Sequence, residues 1–197
     1  SAVREIQSLA RGLEVLELLS NSEQPLGVTQ IAAVVNYDKS TVYRLLSTLM
    51  ARGYVVQDPD TRRYMPGLQI LSLSRKVINR IELRTTAKPF TKRLQQLTGE
   101  STHLAVFQNN KVIYIDSEET EASLNVQANV GQEAPVHCTS LGKALIASHF
   151  DEDELKTFLS QQDLNQYTLF TITDVDLLMK DLLDAKEKGY AIDNEEY

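Results

Sequence analysis

One helical stretch, residues 37–55, limits what the N-terminal part of this chain can fold into. It reads YDKSTVYRLLSTLMARGYV, with a capping aspartate (Asp38) near its start and a glycine (Gly53) near its end. Apolar side chains recur between them at three- and four-residue spacing, which predicts an amphipathic helix with one apolar stripe. The stripe comprises Val42, Leu45, Leu46, Leu49 and Met50.

Two more helices are predicted before this one. Apolar residues spaced by three and four positions between Gln7 and Leu19 indicate a first amphipathic helix. A second, short helix carries Ile31 and Val35, and Thr29 is its candidate N-terminal cap.

Two β-prone runs follow the third helix. They are Tyr54–Gln57 and Arg63–Met65, separated by the turn-forming sequence Asp58-Pro59-Asp60. Three helices followed directly by a two-stranded hairpin predict a winged helix-turn-helix domain.

This order of helices suggests a function for the polar face of the third one. In a helix-turn-helix pair the second helix enters the major groove of DNA with its N-terminal residues foremost. The candidate contacts on this helix are Lys39, Ser40, Thr41, Tyr43 and Arg44. Candidates for contacts to the DNA backbone or minor groove are Thr29 and Gln30 on the preceding helix and Arg62 and Arg63 in the hairpin. The alternative is a winged helix that binds only protein and whose polar residues face water.

The charge of the chain is uneven. Its formal net charge is -7, yet residues 1–80 carry ten basic and seven acidic side chains, a net +3, which leaves -10 for residues 81–197. This asymmetry favours two modules with different partners, the first of them suited to a polyanion.

Composition indicates a soluble globular protein, with 42% hydrophobic and 24% charged residues. No apolar run approaches the roughly 18 residues that a bilayer span needs. A single cysteine, Cys138, cannot form an internal disulfide, which agrees with a reducing compartment. We therefore expect a cytoplasmic protein without a membrane partner.

A helical connector is predicted between the two modules. The apolar pattern after Gly67 predicts a helix that runs towards Leu83, and a further helix follows Pro89 and ends at Gly99. The surplus of apolar residues along this connector suits a dimer seam, with a plain linker helix as the alternative.

Strand patterns begin after Ser101. The segments HLAVFQ and KVIYID flank Asn109-Asn110, which is a hairpin signal, and SLNVQANV and YAID are candidates for further strands. Helices are predicted at Leu141–Ser148, Asp151–Leu159 and Asp174–Lys188. An antiparallel sheet with helices packed against it makes this module α+β.

Motifs of enzyme chemistry in this module are weak. TSLGKAL departs from a phosphate loop, because His137 stands where the first glycine is needed and Ala144 replaces the serine or threonine. His137 and Cys138 could form a base and a nucleophile, but neighbours in an extended segment point in opposite directions, so a buried structural cysteine is preferred. His103, His137 and His149 lack metal-ligand spacing. We expect no catalytic residue, no metal and no cofactor.

Segments of the N-terminal module resemble the IclR family of bacterial transcriptional regulators. They are SLARGLEVLELL, KSTVYRLLSTLMARGYV and the hairpin end RRYMPG. The resemblance implies that the helix entering the groove begins at Lys39. It also implies a homodimer or homotetramer that places two such helices in successive major grooves of a palindromic operator.

NVGQEAPVHCTSLGKALIA and GYAIDNEEY are similar to the effector-binding domain of the same family. The resemblance implies a GAF-like domain that binds a small molecule, often an organic acid or aromatic catabolite. Matched position by position, the effector-binding residues are Val126, Ser140, Leu141, Asp193 and Glu196. The alternatives are that Ser140 is a helix cap and that both acidic residues lie on the surface. Because the family's domain continues past this signature, we expect its C-terminal end to be missing.

The expected organisation is a winged helix-turn-helix domain at residues 1–67, a helical linker at 68–84 and the GAF-like α+β domain at 85–197. The expected function is a transcriptional regulator whose operator affinity is changed by an effector. An acyl-transfer enzyme that uses Cys138 and His137 is the alternative from a different class.

Overall fold

The computed structural model describes residues 5–120 and 128–197, and these residues fold into two compact units that divide between Arg80 and Ile81. Elements of the first unit are α1 (Gln7–Asn21), α2 (Val28–Val35), α3 (Lys39–Ala51), β1 (Val55–Gln57), β2 (Tyr64–Pro66) and α4 (Gln69–Ile78). Elements of the second are α5 (Glu82–Thr98), β3 (Thr102–Gln108), β4 (Lys111–Glu118), β5 (Glu133–Ala134), α6 (Ser140–His149), α7 (Glu152–Ser160) and α8 (Val175–Lys188).

The first unit has the predicted order of three helices and a hairpin. Its core is formed by the apolar faces of α1, α2 and α3 together with the hairpin, and Val15, Ile31 and Leu46 are fully buried there. The hairpin pairs β1 with β2 antiparallel, and Leu26 bridges to Tyr64, which attaches the loop before α2 to the hairpin. The predicted winged helix-turn-helix is confirmed.

The cap of α2 differs from the prediction. Thr29 lies inside the helix, and Gly27 precedes it as the capping residue. The Gly27 N–H donates to Gln30 Oε1 at 2.9 Å, so a side chain inside the helix reaches back to the first turn. The helix therefore begins at Val28, before Thr29 rather than after it.

The second unit is α+β, as predicted. Its described sheet has the order β3-β4-β5 with antiparallel pairs, and Asn109 and Asn110 form the β3–β4 turn with φ of 51° and 61°. Helices α6, α7 and α8 agree with their predicted ranges. Helix α6 packs against β3 and β4, and α8 packs against α6 and α7, in a core around Ile146, Leu159 and Leu182.

Three predictions about strands and helices were not confirmed. The segment Tyr190–Asp193 is irregular, because no described strand pairs with it to supply the hydrogen bonds that a strand needs. Most of SLNVQANV, residues 123–127, lies outside the described residues. Pro89 lies inside α5, and the helical break falls instead at residues 79–81. Within the described ranges, no helix is long and apolar enough to cross a membrane.

Candidate functional sites

The start of α3 is held by one carboxylate. Asp38 Oδ1 accepts hydrogen bonds from the Thr41 N–H at 2.8 Å and the Ser40 hydroxyl at 2.5 Å, and Oδ2 accepts from the Thr41 hydroxyl at 2.6 Å. These hydrogen bonds hold the pKa of the Asp38 carboxyl well below its usual range. Both hydroxyl protons are therefore used within the cap, so Ser40 and Thr41 offer a ligand only their acceptor lone pairs.

Helix α3 has one buried face and one exposed face. Val42 and Leu46 are fully buried, whereas Lys39 and Arg44 are exposed and Tyr43 is 54% exposed. The apolar stripe thus fills the core while the predicted contact residues in the first two turns face outward.

One groove is lined by most of the remaining predicted DNA contacts. It has a volume of about 330 Å³ and lies between the start of α2, Tyr43 of α3 and the hairpin. Five predicted DNA contacts line it: Thr29, Gln30, Tyr43, Arg62 and Arg63. Thr41 and Arg44 line a different groove of about 750 Å³, between α1 and α3.

The tip of the hairpin is a fixed turn. Asp58 Oδ1 accepts from the backbone N–H groups of Asp60 at 3.0 Å and Thr61 at 2.7 Å, and Arg62 adopts a left-handed conformation with φ of 59°. Gln57 Nε2 donates to the Arg62 carbonyl at 2.9 Å. The Arg63 guanidinium donates to the Pro25 carbonyl at 3.2 Å, so Arg63 braces the hairpin against the loop before α2.

In the second unit, the start of α6 carries two predicted effector contacts. Ser140 is the first residue of the helix and Leu141 packs partly into the core. The cap is Thr139, whose hydroxyl accepts from the Gly142 N–H at 3.1 Å and donates to the Pro135 carbonyl at 2.7 Å. The alternative assignment of Ser140 as the cap is therefore wrong.

The acidic pair near the end of the chain is not a surface pair. Asp193 is half-buried and its Oδ1 accepts from the Glu196 N–H at 2.8 Å, while Glu196 is only 3% exposed. Glu196 Oε1 accepts from Lys143 Nζ at 2.7 Å, and Asp181 Oδ2 accepts from the same ammonium at 2.9 Å. The surface alternative is wrong for Glu196, and Lys143 is what binds it.

Sequence reasoning missed Lys143 as a member of this site. The residue is 1% exposed and lies on the buried face of α6 with Ile146 and Ala147. The only signal was its spacing of three and four residues from those apolar positions, and a lysine at such a position is usually solvated.

Some of the predicted effector-binding residues are connected in the structure. Lys143 joins α6, which begins with Ser140 and Leu141, to the segment that carries Asp193 and Glu196. Val126 lies outside the described residues. A described cavity of about 300 Å³ in this unit is lined by other residues, among them His137, Tyr167 and Tyr197.

The neighbouring cysteine and histidine have no geometry for nucleophilic catalysis. Cys138 is fully buried, and burial, followed by the charges of Asp193 and Glu196, raises the pKa of its thiol to about 12. The His137 ring is paired with the Asn165 carbonyl, 3.0 Å from Nε2. Among the residues that the structure describes, no group of three or more His, Cys, Asp or Glu side chains could hold a metal ion.

Comparison with family models agrees with both units. A model described as the IclR helix-turn-helix domain matches residues 8–59, and one described as the bacterial transcriptional regulator IclR C-terminal domain matches residues 75–197.

Known relatives span almost the whole chain. The HTH-type transcriptional regulator XynR of Escherichia coli is 33% identical over 191 residues, which cover 97% of this chain and 75% of XynR. The HTH-type transcriptional repressor AllR of the same species is 32% identical over 191 residues, covering 97% and 70%.

Solved structures are also similar. The IclR transcriptional regulator from Alicyclobacillus acidocaldarius superposes with a TM-score of 0.81 at 29% identity, covering 98% of this chain and 77% of that one. An IclR homolog from Microbacterium hydrocarbonoxydans, complexed with 4-hydroxybenzoate, has a TM-score of 0.74 at 26% identity, covering 94% and 76%.

Proposed function

Because the chain belongs to the IclR family of bacterial transcriptional regulators, and is not an enzyme, we propose that it binds an operator through α3 and that a small molecule bound in the second unit changes this affinity. The observation that carries the DNA-binding part is the separation of the α3 faces, with Tyr43 and Arg44 outward and Val42 and Leu46 buried. The protein acts in the cytoplasm, where bacterial DNA lies.

The exposed side chains of α3 make the contacts to the DNA bases. Arg44 can donate two hydrogen bonds to a guanine edge, and Lys39 and Tyr43 flank it in the first two turns. Ser40 and Thr41 keep their hydroxyl protons on Asp38, so they accept from a base or a water rather than donate to a phosphate.

The α2 start and the hairpin supply contacts to the DNA backbone. Gln30 keeps its amide NH₂ as a donor because only its Oε1 is used by Gly27, and Thr29 is exposed beside it. Arg62 extends from the fixed turn towards the phosphates or the minor groove, whereas Arg63 is partly committed to Pro25.

The effector is a small carboxylic or aromatic acid held near Ser140, Leu141 and Asp193. A helix N-terminus and the adjacent backbone N–H groups favour a negatively charged group, and Ser140 is at that terminus. Glu196, which Lys143 holds, orients Asp193 through its N–H. Val126 completes the proposed set.

Self-association of the first unit fits a palindromic operator. Leu9 and Leu13 on α1 are 59% and 49% exposed beside the groove between α1 and α3, and α4 has no buried residue while exposing Leu71 and Val77. Successive major grooves of such an operator lie about 34 Å apart, one helical turn of DNA, and we propose that self-association through these faces sets that spacing between the two α3 helices.

The DNA-binding proposal is tested with three arginine variants, by fluorescence anisotropy on the DNA flanking the gene and on random DNA. Arg44→Ala should weaken binding to the cognate site by about 1 to 3 kcal/mol more than binding to random DNA, because a base contact is lost. Arg62→Ala should weaken both alike, and Arg52→Ala, at the far end of α3, is the matched control. Equal losses with Arg44→Ala would remove it from base readout, and no binding to either DNA would favour a module that binds only protein.

The effector proposal is tested with Asp193→Ala. Wild-type operator affinity is measured across a panel of small carboxylates and aromatic acids, including 4-hydroxybenzoate, the ligand of the relative described above. Asp193→Ala should bind the operator normally but lose its response to the active compound, while Glu187→Ala on the exposed side of α8 keeps it. A full response from Asp193→Ala would place the ligand elsewhere.

A further inference from the structure

A tyrosine side chain connects the turn of the helix-turn-helix to α1. Tyr37 stands between Asn36, which ends α2 in a left-handed conformation, and Asp38, which caps α3. Its phenol hydroxyl donates a hydrogen bond to Glu14 Oε2, and the Arg11 guanidinium carbon lies 4.7 Å from the centroid of its ring. Three helices are therefore connected through this one side chain.

Both partners of the tyrosine come from one face of α1. Arg11 and Glu14 are three positions apart, which places them on the same side of the helix. The guanidinium is attracted to the face of the ring, while the carboxylate accepts from the hydroxyl at its edge. The hydrogen bond to Glu14 also raises the pKa of the Tyr37 phenol, so the hydroxyl keeps its proton. These contacts fix the direction of the tyrosine side chain as well as its position.

The backbone hydrogen bonds of the turn do not reach α1. The N–H groups of Asn36 and Tyr37 both donate to the Ala32 carbonyl of α2, and Asp38 binds the first turn of α3. These bonds shape the end of one helix and the start of the next. Apolar packing between α1 and α3 is not directional, so the polar contacts of Tyr37 add a directional link between them.

A directional link matters at the start of α3 because base contacts tolerate little displacement. A hydrogen bond to a base edge needs a donor–acceptor distance of about 2.7 to 3.2 Å, so a shift of about half an ångström removes it. Lys39, Tyr43 and Arg44 lie in the first two turns of α3, directly after the turn that carries Tyr37. A rotation of the helix at this turn would move all three side chains together.

We propose that Tyr37 is a positioning residue for DNA recognition. Held by Glu14 and Arg11, its side chain sets the orientation in which the first two turns of α3 meet the bases. Phosphate contacts carry no sequence information, so losing this orientation lowers specificity more than it lowers the affinity for DNA in general. The inference rests on the proposed function, in which α3 reads the operator.

The test compares the DNA flanking the gene with random DNA by fluorescence anisotropy. Tyr37→Phe keeps the ring beside Arg11 but loses the hydroxyl, and Glu14→Ala loses the acceptor. Each should lower the ratio of the two affinities about threefold to tenfold, and the double variant should lower it no further, because both changes remove the same hydrogen bond. Glu14→Gln retains an acceptor oxygen and should keep most of the wild-type ratio. Glu17→Ala removes a charge from an exposed position on the same helix and should leave the ratio unchanged.

A second measurement needs no DNA. The N–H groups of Thr41 and Val42 donate to Asp38, and their hydrogen exchange in Tyr37→Phe should be at least about threefold faster, whereas exchange at Met50, near the far end of α3, should not change. Equal acceleration along the whole of α3 would show that Tyr37 only stabilises the fold, and either this result or unchanged exchange would overturn the inference.

The DNA measurement also distinguishes this inference from the proposed function. If the wild type prefers the flanking DNA and both single variants keep its ratio, the inference fails and the proposed function stands. A wild type that binds both DNAs alike would refute the proposed function, and this inference with it.

Discussion

Replacing Lys143 by methionine removes an ammonium group that is 1% exposed and lies between two carboxylates. Methionine keeps most of the apolar stem, so the change isolates the charge. Glu196 is then left as a carboxylate 5% exposed without its cation, whereas Asp181, 38% exposed, can be hydrated. Breaking a buried pair in this way costs about 3 to 5 kcal/mol, and we assign most of it to Glu196.

A double variant separates the cost of breaking the ion pair from the cost of removing the lysine side chain. Glu196→Gln in the Lys143→Met background removes the stranded charge, so the double variant should be more stable than Lys143→Met alone by about 1 kcal/mol or more. Urea unfolding followed by circular dichroism and tyrosine fluorescence measures the difference, since the chain has eight tyrosines and no tryptophan. A cost below about 1 kcal/mol for Lys143→Met, or strictly additive effects, would refute the reasoning.

The same network predicts a dependence on pH. Burial alone lowers the pKa of Lys143, but its hydrogen bonds to Glu196 and Asp181 outweigh burial and raise that pKa above its ordinary value. The stabilisation is therefore fully present below the unfolded-state pKa of about 10.4 and is lost as the pH rises through the raised folded-state pKa. The stability difference between wild type and Lys143→Met should shrink across that alkaline range and stay constant near neutrality.

One further substitution and one chemical modification test the packing around the start of α6. Gly142→Ala should destabilise the second unit by about 1 to 3 kcal/mol in urea unfolding, because its new Cβ would lie 2.5 Å from the backbone of Val136; a neutral variant would contradict this packing. Cys138 should react with iodoacetamide at pH 8 about a thousandfold more slowly than a free thiol, and at a normal rate in urea, because its pKa is raised to about 12; rapid reaction of the native protein would show an accessible thiolate.

Much of the first unit was predictable from the sequence because its signals are local. The cap at Asp38, the apolar stripe of α3 and the stop at Gly53 act within one or two helical turns, and all three are present in the structure. The cap of α2 was mispredicted although its contact is also local: the Gly27 N–H donates to the side chain of Gln30, three residues further on.

The second unit depended more on distant contacts. Asn109 and Asn110 marked their turn, since residues with positive φ in a two-residue hairpin are a local requirement. YAID had the composition of a strand but no described partner strand, and a strand exists only where another supplies its hydrogen bonds.

The sequence by itself determined the three helices and the hairpin of the first unit, the β3–β4 hairpin, helices α6 to α8 and the outward polar residues of α3. Contacts between positions three or four apart, and tight turns, follow directly from residue order. Only the tertiary structure decided that Glu196 is buried, since its partner Lys143 is 53 residues away. It also decided that α5 turns Arg84 and Lys88 towards the sheet, because both bind the carboxylate of Asp116 on β4. Ion pairs between residues that are far apart in the sequence form only when the chain folds, and their strength depends on how deeply they are buried.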